Sequence, residues 1–264
     1  MSWWSFPPET QEIQFDEKWS FVEKKQKNCD PDDPADVNCG DCWDHVAVDP
    51  ESRLTLAVVP GARTIENTEA IVREVKDRLN GRVPRLITTD EYGAYESAIV
   101  QAFGRPIDPP VRKGPGRPRI LPRREVPTEL TYATVRKQRE GNRVVAVERK
   151  LVFGTQRGLD RALRRSRASS HVNTSFVERQ NGTDRCRNVR KARKTYRFSK
   201  DWEIHESMTY FTLYSYNFCW AVRTLRVKKE QGGWQPRSPA MAAKLTDHVW
   251  KWDEWFAFPA VQSP

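Results

Sequence analysis

Residues 12–24 read Glu12-Ile13-Gln14-Phe15-Asp16-Glu17-Lys18-Trp19-Ser20-Phe21-Val22-Glu23-Lys24. Side chains alternate in direction along an extended chain, so Ile13, Phe15, Trp19 and Phe21 share one face and Gln14, Asp16, Lys18 and Ser20 the other. The segment reads as a strand that turns Asp16 away from its apolar side. Residues 42–49 and 53–59 read as two more strands joined at Asp49-Pro50-Glu51-Ser52, which makes an antiparallel meander. Residues 64–80 then place Ile65, Thr68, Ile71, Val72, Val75 and Leu79 at helical spacing and stop at Gly81, ahead of Pro84. A short apolar strand at 85–89 runs into Asp90, and a helix at 92–103 ends at Gly104. Three strands, a helix, a strand and a helix define an α/β class.

Composition bounds the function. The chain has 264 residues, 38% of them hydrophobic, with ten tryptophans, enough for a substantial core. No stretch approaches the roughly 20 uncharged apolar residues that span a bilayer, and the N-terminus lacks the pattern of a signal peptide. A cytoplasmic, nucleoid-associated protein without a membrane partner is expected. Five unevenly spread cysteines argue for reduced thiols rather than a disulfide framework. The formal charge is +10, but residues 111–200 hold 26 Lys/Arg against 7 Asp/Glu, while the rest of the chain is net acidic. Such concentration is the electrostatic footprint of a polyphosphate partner, since each neutralised phosphate releases counterions.

Within that basic stretch, residues 105–127 are too rich in proline for a helix or a central strand. Their Gly116-Arg117-Pro118-Arg119 core has the form of an AT-hook, whose extended backbone lays Arg117 and Arg119 into a narrow minor groove; a basic linker that reads no sequence is the competing view. Residues 130–137 and 143–153 alternate around Glu140-Gly141-Asn142 as a hairpin. Ser175 opens a long basic helix, 201–226 is an aromatic-rich helix, and an aromatic tail closes the chain. Cys29, Cys39, Cys42 and His45 form C-x9-C-x2-C-x2-H, with one short chelating pair of the kind zinc sites use; the aspartates around them support an acidic solvated loop instead.

Phe15-Asp-Glu-Lys-Trp19, Thr89-Asp-Glu-Tyr-Gly-Ala-Tyr-Glu96 and residues 171–200, from His-Val-Asn-Thr-Ser-Phe-Val-Glu-Arg-Gln-Asn to Lys-Thr-Tyr-Arg-Phe-Ser-Lys, resemble the catalytic region of DDE-type bacterial insertion-sequence transposases, closest to the group named for insertion sequence one. The resemblance covers roughly 12–100 and 165–250. It implies a ribonuclease-H-like core, a mixed five-stranded sheet flanked by helices, in which Asp16, Asp90 and Glu178 are catalytic and bind two Mg²⁺ ions, or Mn²⁺ in their place. One ion activates water or a 3′-hydroxyl and the other stabilises the leaving oxygen of an in-line displacement. It further implies transposon ends and target DNA as substrates and a homo-oligomer on DNA. The end-recognition module usual in the group would be encoded upstream, because few residues precede Asp16.

Arg185 lies two turns past Glu178 on the same helix face and is placed to hold a phosphate, while Arg187, Arg190, Lys191, Arg193, Lys194 and Arg197 are expected to line the DNA path. The 88 positions between Asp90 and Glu178 exceed the group's compact spacing, so the hairpin is expected outside the sheet as an insertion, and either of its arms could supply the fifth strand. The expected organisation is 1–104 and 171–230 as two parts of one core, 105–170 as the insertion and 231–264 as the tail. Each acid has a plain alternative. Asp16 would be a solvent-facing residue of an edge strand, Asp90 a helix cap, and Glu178 the partner of Ser175 in a capping box. A ribonuclease-H-like nuclease and a non-catalytic, regulatory DNA-binding remnant are the competing functions.

Overall fold

The strand that carries Asp16, β1 (Glu12–Val22), lies inside the sheet and not at its edge. The computed structural model describes residues 8–107, 123–141 and 143–258. β2 (Gly40–Val48) and β3 (Thr55–Gly61) complete an antiparallel meander, with Asp16 opposite Val46. α1 (Ile65–Arg78) crosses to β4 (Leu86–Thr89), which pairs in parallel with β1 through Ile13 and Ile87. α2 (Ala94–Phe103) is followed by a small ribbon of β5 (Arg105–Ile107) and β6 (Arg123–Glu125). Next come β7 (Thr131–Glu140), parallel to β4, and β8 (Arg143–Phe153), antiparallel to β7. The result is one mixed sheet of six strands in the order β3-β2-β1-β4-β7-β8. Helices α3 (Gln156–Arg165), α4 (Ser175–Arg187), α5 (Trp202–Cys219), α6 (Pro239–Ala242) and α7 (Trp252–Ala257) finish the fold.

Both faces of β1 are covered. Ile13 and Phe15 join Leu56, Ile71, Val75, Ile87, Tyr95, Ile99 and Tyr132 in an apolar core under α1 and α2. Each such side chain contributes about 1.5–3 kcal/mol when fully buried. On the opposite face Val46, Val48 and Val58 meet Val177, Leu213 and Tyr214 of α4 and α5. Leu86, Ala133 and Val135 meet Leu159, Ala162 and Val172 beside them. The polar side of β1 therefore points into packed helices rather than into water.

One expectation is corrected. The sheet has six strands rather than five, because the hairpin is not an insertion beside the sheet: its first arm is the fifth strand and its second arm adds the sixth. The basic stretch after the hairpin contains α3, whose signal was Leu159, Ala162 and Leu163 at i, i+3 and i+4 behind Thr155, which accepts from Gly158 N at the helix start. The aromatic C-terminal segment packs on the fold. Ala240 is buried in the main core, and Trp250 and Trp255 pack on Phe218 of α5 at ring distances of 4.5 and 5.9 Å. Among the described residues no helix is long and apolar enough to cross a membrane.

Candidate functional site

The polar residues of β1 form a ladder against the C-terminal helices. Glu12 accepts from Ser166 (2.7 Å) and Ser169 (2.6 Å), Gln14 caps α4, Asp16 accepts from Asn181 Nδ2 (2.8 Å), Lys18 pairs with Asp184, and Ser20 meets His205 (3.2 Å). Period two puts all five on one face. Asp16 sits mid-ladder, and its pKa is pushed up to about 7, first by burial and then by the negative charges of Asp90, Glu17 and Glu178. Asp90 and Glu178 thus both lie within electrostatic reach of Asp16, and the three acids come from β1, the end of β4 and α4.

Asp90 does not cap α2, whose N-cap is Gly93. Its Oδ1 accepts from Tyr92 N at 3.0 Å in a turn ahead of α2, while Oδ2 is 3.7 Å from Arg63. Arg63 is held more firmly by Glu17, with nitrogens at 2.9 and 3.1 Å from Oε2, and by the faces of Tyr92 and Trp43. Glu17 in turn accepts from the buried Tyr95 hydroxyl. Burial raises the pKa of Glu17, so a fourth carboxyl stands beside the trio.

Glu178 does not form the capping box. Ser175 is the first residue inside the helix, and the Glu178 carboxylate accepts from Thr174 Oγ1 and from Lys137 Nζ on β7. The first turn of α4 is capped from across the molecule. Gln14 Oε1 accepts from Phe176 N (3.0 Å) and Val177 N (3.2 Å), and Gln14 Nε2 donates to Asn173 (3.3 Å). A residue two positions from Asp16 therefore sets where the helix bearing Glu178 begins. Gln14→Ala would leave those N–H groups without acceptors and is expected to lower the unfolding free energy by about 1–3 kcal/mol in urea titrations.

Below Asp16 lies a fully buried charge network. Lys18 contacts Asp184 and, at 3.0 Å, Asp44; Lys191 contacts Asp44 at 2.5 Å and also Thr209; Thr212 donates to Asp184 at 2.7 Å. Burial works to raise the Asp44 pKa, but the Lys191 and Lys18 charges outweigh it and hold the carboxyl below its usual range. His205 joins the rim of this network, bridging Ser199 (2.7 Å) and Ser20, and burial lowers its pKa to about 4. The network ties β1, β2, α4 and α5 to one another. Sequence reasoning missed it, although polar residues at every second position of an otherwise apolar strand were its signal.

The expected DNA-contacting residues divide. The helix ends at Arg187, so Arg190 and Lys191 lie in a short 3-10 turn (Val189–Lys191) and Arg193 to Arg197 on the chain after it, rather than on a basic helix. Arg193, Lys194, Arg197 and Lys200 are exposed, as is Tyr196 among them at 98%. Arg190 is half-buried. Lys191 is corrected to a structural residue, its ammonium fully buried on Asp44. Arg187 is turned against α5, its guanidinium 4.7 Å from the Trp220 ring and 5.4 Å from that of Tyr216. Arg185 is half-buried with Nε lacking a hydrogen-bond partner among the described residues; burial lowers its pKa, as does Arg193, while Asp16 and Asp184 oppose them. Arg117 and Arg119 lie outside the described residues.

The zinc quartet does not converge. Cys42 and His45 are three apart on β2 and so face opposite sides of the sheet: Cys42 lies beside Asp44 on the α5 side, while His45 Nδ1 meets Val59 O at 3.2 Å. The thiols of Cys29 and Cys39 donate to the carbonyls of Lys25 and Ala35. Cys42, Asp44 and His205 do bring ligand atoms within 4.8 Å of one another, but two ammonium groups already neutralise Asp44.

Oxygens of Asp16, Asp90 and Glu178 are not all drawn together that closely, but carboxylates are the donors a hard divalent cation takes. The negative charges of Asp90 and Glu178 bear on Asp16, which a cation would relieve, and the buried Asn181 Oδ1 beside it has no hydrogen-bond partner among the described residues. Comparisons with protein-family models and with curated proteins find no match to this chain.

Proposed function

We propose that this chain is the catalytic core of a DDE-type DNA transposase, which cleaves strands at transposon ends and joins the freed 3′-hydroxyls to target DNA. The observation that carries this reading is the approach of Asp16, Asp90 and Glu178 from three separate elements, close enough that each of the other two raises the Asp16 pKa. The strand order supports a ribonuclease-H-like core: β1, β4 and β7 are parallel neighbours and β2 and β3 continue antiparallel on the far side of β1.

Mg²⁺ or Mn²⁺ held by Asp16, Asp90 and Glu178 would activate water or a 3′-hydroxyl and stabilise the leaving oxygen. The chain's own residues do the placing. Asn181 orients Asp16, Arg63 stands between Glu17 and Asp90, and the Gln14 cap sets the start of α4 and hence the height of Glu178. Arg193, Lys194, Arg197 and Lys200 give the DNA an exposed basic surface on the chain after α4, and Arg185 is within electrostatic range of Asp16. Synapsis of two DNA ends by a homo-oligomer belongs to the same reading.

The test is strand transfer on a pre-branched DNA substrate with Mg²⁺ or Mn²⁺, which bypasses end recognition, together with the salt dependence of binding. Joined products, with log affinity falling steeply against log salt, are expected. Hydrolysis without joining would assign a nuclease, and binding without chemistry a DNA-binding remnant. Binding indifferent to salt would remove nucleic acid as the partner.

A further inference from the structure

We propose that Lys137 is a mobile phosphate-positioning residue, parked on Glu178 in the metal-free protein and transferred to a DNA phosphate once a divalent cation takes that carboxylate. The inference rests on the metal-site reading above and deepens it. Lys137 follows Ala133 and Val135 on the face of β7 that meets the C-terminal helices, and Val135 is the last buried residue before the hairpin runs out into solvent. Register alone therefore brings its ammonium to Glu178.

The second cation at the site behaves differently. Arg63 is anchored twice on Glu17, whose side chain is 1% exposed, and is sandwiched by aromatic rings, so its looser 3.7 Å approach to Asp90 can be given up without Arg63 moving. Lys137 has only the Glu178 carboxylate as a partner among the described residues, and its side chain is 27% exposed. It is a compact charge on a flexible stem. A divalent cation on Glu178 sets two positive charges where the ammonium now rests, so the ammonium must leave, and the nearest anion in a loaded site is the phosphate backbone. Neighbouring acids offer no easy alternative, because Arg136 pairs with Glu91 at 3.5 Å and Gln138 holds Glu148.

The experiment titrates the full chain with Mn²⁺ alone, reading free ion by electron paramagnetic resonance, for the parent, Lys137→Met, Lys137→Arg and Glu178→Gln. Lys137→Met is expected to bind Mn²⁺ about two- to fivefold tighter, the range a part-exposed ion pair commands, and Lys137→Arg to match the parent. Binding of branched DNA is then measured against salt in Ca²⁺ and in EDTA. Lys137→Met should lose about one unit of slope in Ca²⁺ and none in EDTA. Unchanged or weaker Mn²⁺ binding in Lys137→Met, or equal slope loss in both media, would overturn the proposal while leaving the metal site intact. Mn²⁺ binding untouched by Glu178→Gln would instead overturn the metal site itself.

Discussion

Asp16→Asn is expected to lower Mg²⁺-dependent strand transfer on branched DNA by at least about a thousandfold, roughly 4 kcal/mol of transition-state stabilisation. The substitution keeps the side chain's shape and leaves Asn181 an acceptor oxygen, so the loss reports the missing charge. The same variant should be more stable than the parent in EDTA. The Asp16 pKa is raised to about 7 from 3.8 by burial and by its acidic neighbours. A folded-state pKa above the unfolded value means that the charged form opposes folding at any pH above about 4, increasingly up to pH 7, and stays opposed beyond it. A neutral isostere removes that opposition, so at pH 8 a gain of about 1 kcal/mol or more should appear as a higher melting temperature. Activity lost with stability gained marks a residue held for chemistry at a cost to the fold. Activity retained, or stability lost, would return Asp16 to a structural role.

Lys18→Met is expected to cost about 3–5 kcal/mol of unfolding free energy, measured in urea. Its ammonium lies between Asp44 and Asp184 with no solvent on any of the three side chains. Removing it leaves Asp44 with Lys191 but leaves Asp184 with only the hydroxyl of Thr212 among its described partners. An uncompensated buried carboxylate must then be protonated or hydrated, and either is expensive when the whole fold is worth about 5–15 kcal/mol. Adding Asp184→Asn to Lys18→Met should recover part of the loss, and the non-additivity of the pair measures their coupling. A single-variant cost under about 1 kcal/mol would mean that water reaches Asp184 and that the network does not anchor α4.

Much of the first half of the molecule is legible in its sequence. Ile13 and Phe15 against Gln14 and Asp16, the helical spacing from Ile65 to Leu79, and the apolar run into Asp90 each reflect one local period, and each formed where that period predicted. The second half was harder because its periods are incomplete. β7 and β8 alternate like any hairpin, and nothing local says whether such a hairpin docks on a sheet or stands beside it. The decision lay with Thr131–Thr134 pairing against Leu86–Thr89, residues more than forty positions away. Lys191 and Arg193 look alike in a basic run, yet one ammonium neutralises Asp44 and the other side chain is exposed.

By itself the sequence determined the α/β class, the first strand with its polar face and the cationic middle of the chain, since these depend on residue type and near-neighbour spacing. Only the tertiary structure decided that the hairpin completes the sheet, that Gln14 caps the helix of Glu178, that Lys18 and Lys191 are buried between aspartates, and that Cys42 and His45 stand on opposite faces. Those outcomes turn on which distant groups meet when the two sheet faces are covered, and a buried charge must find its partner wherever the fold brings one.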